Sequence, residues 1–580
     1  MIDPITLTVI QNRLQQVCEE MDIILDRAAF SPIISEGQDR ASGIFTFDHG
    51  LLIAQGSSGM PIHIGAMQFA AGTIAKRADI FEDGDIFIIN DPYLGGTHLM
   101  DVKLIMPVFI DGDLFCLLGS SGHWPDIGGS VPGGFVTRAE EVQQEGLRIS
   151  GVRIYKKGQL DDDLLNLILS NVRIPDQRLG DLQAQVSSLR AGQQALKKVV
   201  AEYGSTLMLK GINHLLTQSA KLMRQRISEI KPGTYRFEDA MDNDGIEAKP
   251  LWIRLDLTVK KDKLILDFSR SSGFCSGPLN SVISATTAAV FVALKHIYPN
   301  IPTNAGCFEP IEIIAPDTIF LNASYPRPTS GCASEVSQRV VDVVFGAMAQ
   351  AIPERLHGAP MGTSLNLTIG GYDPVGKYRY VFYFYSGGGA GGWLGGDGIS
   401  NACTTVGLAK TPPIEVCEQQ MPVLFEEYAL RHDSCGAGQW RGGLGVRYRI
   451  RLLRGEAKLS LLGDRATRGP FGVQGGGSAA KTDVKLRLKG KAYVPPLITK
   501  DEQIKFCEGD TFQAFTPGGG GYGKVKDRDP LKIKEDIKRE YITRAYAITE
   551  FGFKNPTLLK KKNATSSRVG KAQSLGTRKK

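Results

Sequence analysis

The stretch Asn90-Asp91-Pro92-Tyr93-Leu94-Gly95-Gly96-Thr97-His98-Leu99-Met100-Asp101 is followed shortly by Gly122-His123-Trp124-Pro125-Asp126-Ile127-Gly128-Gly129. Together they hold two of the chain's eight histidines beside three carboxylates. Imidazole nitrogens combined with carboxylate oxygens suit a divalent ion such as zinc, manganese or iron. An incomplete protein shell leaves room for water or substrate, and the ion then polarises a carbonyl or lowers the pKa of a bound water. The alternative is that His98 and His123 are ordinary polar residues at strand ends. Spacing by itself leaves both readings open.

A hairpin would bring these residues together. Strands are predicted near 101–110 and 114–121, turning about Asp111-Gly112-Asp113. With a three-residue loop, Asp101 lies directly across from His123, close enough to share a cation. A two-residue loop shifts the register by one and puts them on opposite faces. His98 lies where the chain leaves the strand and can fold back.

Around this hairpin the elements alternate. Asp3-Pro4 reads as an N-cap with proline at the first helical position. Ile10, Leu14, Val17, Met21, Ile24 and Ala28 then form one apolar stripe on a long helix ending near Ser31-Pro32. A second long helix is predicted over 176–203, with Gly192 weakening it locally. A hairpin over 44–54, a short helix over 65–78 and the strand Ile86–Ile89 lie between. Further on, 234–320 is mostly β with a helix at 284–297, another helix spans 334–352, and Tyr378–Tyr385 is a strand. A last helix is predicted over 534–549. The fold class is mixed α/β (α+β) and multi-domain. The expected divisions are an α/β domain over 1–235 carrying the candidate site, a central α/β domain over 236–420, a β-rich C-terminal domain over 421–553 and a basic disordered tail over 554–580.

Other chemistries find less support. Gly387-Gly388-Gly389-Ala390-Gly391-Gly392 formally matches a dinucleotide-binding fingerprint, but neither a helix pattern nor a correctly placed acid follows. Gly371–Lys377 approaches a phosphate-binding loop, yet Tyr378 stands where Ser or Thr must ligate magnesium, so it reads as a turn between strands. There is no GxSxG nucleophile elbow. The glycines allow tight turns and close backbone approach to a ligand or neighbouring subunit.

The chain has 580 residues, and the length argues for several domains. Its nine cysteines are scattered and never spaced CxxC, which fits a reducing, cytoplasmic setting rather than a disulfide framework. No apolar run is long enough for a membrane span, and Met1-Ile2-Asp3-Pro4 has no signal-peptide pattern. The formal charge of +7 belongs to the tail: residues 554–580 carry nine Lys/Arg and no Asp/Glu, leaving 59 basic against 61 acidic residues in the body. That balance argues against nucleic-acid binding as the main function.

Several long motifs, in order, carry a family resemblance: Ser35-Glu36-Gly37-Gln38-Asp39, Pro61-Ile62-His63-Ile64-Gly65, Asn90-Asp91-Pro92-Tyr93, Thr97-His98-Leu99-Met100-Asp101 and His123-Trp124-Pro125-Asp126-Ile127-Gly128-Gly129. Asn171-Val172-Arg173, Gly180-Asp181-Leu182 and Glu335-Val336-Ser337-Gln338-Arg339 follow. Gly436-Ala437-Gly438-Gln439-Trp440-Arg441-Gly442-Gly443 and Thr516-Pro517-Gly518-Gly519-Gly520-Gly521 complete the series. Over about residues 1–550 the chain resembles the hydantoinase B / 5-oxoprolinase family, which includes subunits of N-methylhydantoinases, caprolactamase-like lactam hydrolases and ketone carboxylases. Gly37 departs from the family's Ser-Glu-Arg-x-Asp box and removes a cation.

The resemblance implies a zinc, manganese or iron site at His98, Asp101 and His123, with Asp39 and Asp91 as further ligands or near neighbours. It implies Asp126 as either a support behind the ligands or an acid/base group, with Asp126 or Asp39 helping proton transfer. It also implies a separate hydantoinase A-type subunit that binds ATP and activates the substrate, so that the pair forms a hetero-oligomeric, ATP-dependent hydrolase of cyclic amides (hydantoin, 5-oxoproline or lactam). The alternatives are a subunit of an ATP-dependent ketone carboxylase and a non-catalytic scaffold.

Overall fold

The computed structural model describes residues 2–553 other than 404 and 408, so the basic tail at 554–580 lies outside the described residues. The chain opens with helix α1 (Pro4–Ala28), whose Asp3 side chain caps the Thr6 amide as the sequence predicts. A short helix α2 (Pro32–Ser35) leads to β1 (Arg40–Phe45) and β2 (Leu52–Gln55). Helix α3 (Pro61–Ala75), β3 (Ile86–Ile89), β4 (Asp101–Ile110), β5 (Asp113–His123), β6 (Ser150–Lys156) and β7 (Gln159–Leu160) follow. The seven strands form one sheet in the order β2-β1-β5-β4-β3-β6-β7, with every neighbouring pair antiparallel.

Both faces of this sheet are covered. Helix α3 packs Ile64, Met67, Ala70, Ala71 and Ile74 against Ala41, Phe45, Phe87, Ile105 and Leu117. The opposite face receives α1 and the long helix Pro175–Tyr203, whose Gln185 amide donates to the carbonyls of Val102 (3.0 Å) and Ser120 (3.2 Å). Gly192, which weakens this helix in isolation, serves its packing: a Cβ there would sit 2.4 Å from Met21 Sδ. A helix that the apolar spacing did not mark, Ser205–Ser228, begins where Gly204 (φ +79°) turns the chain back.

The turn joining β4 to β5 has two residues, Asp111 and Gly112, both at positive φ (53° and 91°), as a tight hairpin turn requires. By the register argument Asp101 should then miss His123. It does not, because the ladder pairs Val108 with Cys116 and Phe109 with Leu114. Phe115 is the extra residue of a β-bulge, which restores the Asp101–His123 pairing.

Three further sheets complete the described residues. One joins Gly233–Met241, Leu251–Lys260, Lys263–Asp267 and Ile311–Ile314. A second orders Tyr378–Phe384, Asn366–Asp373, Glu456–Leu462 and Lys500–Cys507. It therefore takes strands from both sides of residue 420, where the composition suggests a boundary. The third contains Val423–Leu430, Val446–Leu452, Thr511–Phe515, Asp483–Leu488 and Lys491–Tyr493. These last two sheets bury a common core that includes Leu367, Phe382, Phe384, Tyr448, Ile450, Leu459 and Phe512. Among the described residues no helix is long and apolar enough to cross a membrane, and the nine cysteines are unpaired.

Two sequence expectations change in detail. The helix predicted over 334–352 is Ser337–Met348, preceded by a wider turn at Cys332–Val336. The helix predicted over 534–549 is two, Pro530–Lys538 and Arg544–Phe551, parted at Glu540 (φ 58°) and restarted by a Thr543 cap.

The glycine clusters interlock through their backbones. Gly392 donates to Gly520 O (2.9 Å), Gly520 to Ala359 O (2.8 Å), Gly519 to Gly443 O (3.0 Å), and Gly443 to Ala390 O (2.8 Å). A Cβ on Gly391 would lie 1.7 Å from Gly358 O. The amides of Gly388, Gly389, Ala390 and Gly392 all donate to carbonyls of this same chain, so the close backbone approach here is internal packing and not a phosphate cradle. Likewise Gly371–Asp373 ends one strand and residues 374–377 turn into its paired neighbour.

Candidate metal centre

Strands β1, β5 and β4 are adjacent, and their site-bearing ends lie together. Asp39 immediately precedes β1 and accepts the His123 amide on its carbonyl (3.0 Å), while Asp101 opens β4 across from His123 at the end of β5. The pleat alternates side chains, so Asp101, Lys103, Ser121 and His123 share the face that α3 covers. Helix α3 supplies His63 near its N-terminus. His98 returns from the turn before β4, where its carbonyl accepts the Asp101 amide (3.2 Å).

Asp101 Oδ1 is the hub. It stands 2.9 Å from His98 Nε2, 3.1 Å from His123 Nδ1 and 3.3 Å from His63 Nε2. His63 Nε2 is in turn 3.4 Å from Asp39 Oδ1. Asp101 Oδ2 accepts the Thr97 hydroxyl, and buried Lys103 donates to the Asp101 carbonyl (3.1 Å). Asp39, His63, His98, Asp101 and His123 are all buried and line a cavity of about 40 Å³ with Met60, Ile62, Ser334, Ser364, Tyr383 and Tyr385.

The electrostatics favour a positive species among these atoms. Burial works against charge on Asp101, yet His63, His98 and His123 together hold its carboxyl well below its ordinary value. Burial likewise disfavours a charged His98, but the Asp101 carboxylate and the Ser330 carbonyl raise its pKa. His98 Nδ1 lies 2.9 Å from the Ser330 carbonyl, which can only accept, so Nδ1 carries the hydrogen. On a neutral ring, Nε2 would then point its lone pair at Asp101 Oδ1. Either a second ring proton or a metal ion resolves that contact.

The donor set fits a metal ion. Atoms bound to zinc at about 2.0–2.1 Å in tetrahedral geometry are roughly 3.3 Å apart, close to the 2.9–3.4 Å separations here. The donor atoms of His98, Asp101 and His123 all lie within 4.8 Å of one another. Asp39 Oδ1 and His123 Nε2 are buried without a hydrogen-bond partner. The partner groups also fit: Ser330 O orients His98, and Ser121 Oγ lies 3.0 Å from His63 Nδ1.

Two residues singled out by the sequence stand elsewhere. Asp91 receives Tyr93 N (3.1 Å), Ser150 Oγ (2.7 Å) and Arg148 (3.0 Å), so its oxygens are committed to closing a turn. Asp126 is clamped by the Arg173 amide (2.6 Å) and guanidinium (2.8 Å), and it does not line the cavity. Other motif residues also hold the frame. Asp181 accepts the amides of Phe30 and Ser31. Arg339 joins a buried ionic cluster with Asp239, Asp342 and Asp464.

Conversely, spacing along the chain assigns no role to His63 or to the two tyrosines. His63 lies within the Pro61–Gly65 motif, and its membership of the site depends on α3 folding back over the sheet. Tyr383 and Tyr385 come from a strand and its end far along the chain.

Comparison with known proteins adds to this geometry. An uncharacterized protein of Methanocaldococcus jannaschii is 35% identical over 558 residues, spanning 95% of this chain and 96% of its own. A putative D-/L-hydantoinase B-type subunit from a Pseudomonas species is 28% identical over 95% of each chain. The crystal structure of the ATP-dependent caprolactamase from Pseudomonas jessenii superposes with a TM-score of 0.89 at 26% identity, covering 98% of this chain and 100% of that one. Residues 3–525 match the family model described as hydantoinase B/oxoprolinase, and the chain belongs to that family.

Proposed function

We propose that this chain is the metal-carrying catalytic subunit of an ATP-dependent hydrolase of cyclic amides, working beside a separate ATP-binding subunit of the hydantoinase A type. The observation that carries the reading is the buried convergence of three imidazoles and two carboxylates on one cavity. The relatives named as a hydantoinase B-type subunit and as an ATP-dependent caprolactamase support the substrate class and the division into subunits.

Ring amides are poor electrophiles, so the partner's phosphoryl transfer to the amide oxygen precedes the step made here. His98, Asp101 and His123 would hold a divalent ion, with Asp39 and His63 beside it. Such an ion supplies Lewis acidity toward the ring carbonyl and its activated form. Asp39 Oδ1, buried and free of hydrogen bonds, takes the proton of the incoming water. The water oxygen bonds to the phosphorylated carbon, the ring carbon–nitrogen bond breaks and the nitrogen takes up the water's protons, leaving an open-chain acyl phosphate, from which a second water releases phosphate and the free acid. Phe135 and Tyr383, both buried, pack on the His123 ring and restrict water beside it. Asp126, held by Arg173, fixes the loop that follows His123.

The test is turnover by this chain with its ATP-binding partner on hydantoin, 5-oxoproline and a lactam. Ring opening coupled to ADP formation is expected. Bicarbonate-dependent consumption of a ketone in place of ring opening would contradict the reading and favour a carboxylase. Full turnover by the partner alone would leave this chain a scaffold.

A further inference from the structure

Tyr383 comes from the second half of the chain, yet its ring lies on the candidate metal centre. The ring centroid is 5.0 Å from that of His123 at an interplanar angle of 32°, and 5.1 Å from that of Phe135 at 29°. Phe135 in turn stacks on His123 at 5.9 Å and 20°. His123 is thus held against two aromatic rings, while its Nδ1 addresses Asp101 Oδ1. No hydrogen bond supports its other nitrogen, in contrast to His98 with Ser330 and His63 with Ser121. Ring packing has to do for His123 what a hydrogen bond does for the other two.

The Tyr383 ring is itself pinned. Its hydroxyl donates to Asn366 Oδ1 at 2.9 Å. The orientation of that amide follows from its other end: Asn366 Nδ2 donates to Glu335 Oε1 (3.0 Å), Leu462 O (2.9 Å) and Ser334 Oγ (3.1 Å). Glu335 Oε1 also accepts the Ser364 amide (2.9 Å), and Oε2 accepts the Thr363 hydroxyl (2.7 Å). The chain of contacts runs from Glu335 through Asn366 and Tyr383 to His123. All four residues are buried. Tyr383 and Asn366 sit on neighbouring strands, diagonal to one another and on one face, so this sheet completes the site that the seven-stranded sheet begins.

From this we infer that Tyr383 is a positioning residue for the metal centre, setting the angle of the His123 ring, with Asn366 and Glu335 fixing Tyr383. The inference rests on the metal reading of the proposed function. Its probe is cobalt(II) alone, added to the full chain stripped of metal, with affinity and the visible ligand-field spectrum as readouts. Loss of an orienting partner costs about 10- to 100-fold in metal affinity. Tyr383→Leu is expected to show such a loss together with an altered spectrum, because His123 is free to rotate. Tyr383→Phe keeps the ring but loses the hydroxyl that Asn366 holds, and is expected to shift the spectrum in the same direction by less than Tyr383→Leu. Phe382→Leu, which removes a ring from the same strand on its opposite face, among Phe384 and Phe425, is expected to leave the spectrum as in the wild type.

A Tyr383→Leu chain with the wild-type spectrum and affinity would overturn the inference, as would a folded Phe382→Leu chain changed as much. If the leucine chain does not fold, Asn366→Ala removes the acceptor of the Tyr383 hydroxyl and leaves both rings in place. A shifted spectrum in that variant supports the inference, and an unshifted one overturns it. A wild-type chain that binds no cobalt would overturn the metal reading and this inference together.

Discussion

The candidate metal centre and the glycine lattice use residue identity in opposite ways. At the centre, five side chains from β4, β5, α3, the start of β1 and a preceding turn meet within hydrogen-bonding distance, and the backbone only aims them. In the lattice around Gly358, Gly391, Gly442 and Gly519, the backbones themselves meet, and a Cβ on Gly442 would lie 1.7 Å from Gly519 O. One region depends on what its side chains carry, the other on their absence. A substitution in the first should remove chemistry from a folded protein. A substitution in the second should remove the fold, and activity with it.

The sharpest break comes from Gly391→Val. Its Cβ would overlap the Gly358 carbonyl, a backbone atom that cannot rotate away. Overpacking typically costs about 1–3 kcal/mol, and a clash with fixed backbone belongs at or beyond the upper end. The expected result is little or no soluble, folded chain, read by yield and circular dichroism. Next is His98→Ala, which should fold with a wild-type circular dichroism spectrum. Its metal affinity should fall by more than the roughly 100-fold at which loss of an outer partner is bounded, and turnover should fall with it. His63→Gln is expected to have a smaller effect, about 10- to 100-fold in metal affinity, measured by competition with a chelator. A variant at Gly391 that folds well but loses metal, or one at His98 that unfolds, would dissolve the distinction between the two regions.

The smallest effect concerns the support behind His98. Glu145 is fully buried and accepts the amides of Thr329 (2.8 Å) and Ser330 (2.7 Å), the residue whose carbonyl holds His98. Burial pushes its carboxyl up from 4.5 to about 7. A group raised on folding contributes stability that is fully present below its unfolded pKa and is lost as pH rises through the folded value. Glu145 should therefore add stability below about pH 4.5 and lose that contribution as pH rises through about 7. Glu145→Gln stays neutral, so its melting temperature relative to wild type should climb across that window. A constant difference between the two chains would contradict this.

The sequence showed the hairpin and two of its site residues because strand alternation and glycine-marked turns are local signals. It could not settle the register. That depended on a bulge at Phe115, a residue with no local mark, compensating a two-residue turn. Proximity along the chain also does not show what two carboxylates contact: Asp91 and Asp126 are near the site in sequence and are held by Arg148 and Arg173. His63 and Tyr383 escaped for the converse reason, since each reaches the centre only through tertiary packing. The β-rich C-terminal part was recognisable by its short strands and glycine clusters. That one of its sheets would recruit Asn366–Asp373 and Tyr378–Phe384 was not, because strand pairing over such a separation leaves no periodic signal.

The central claim is that the buried imidazoles and carboxylates hold a metal ion. Elemental analysis of the chain purified without chelator, beside the His98→Ala/His123→Ala double variant, tests it most directly. Close to one equivalent of a divalent transition metal per wild-type chain, absent from a folded double variant, is the predicted result. No metal in either folded protein, or equal metal in both, would contradict the account.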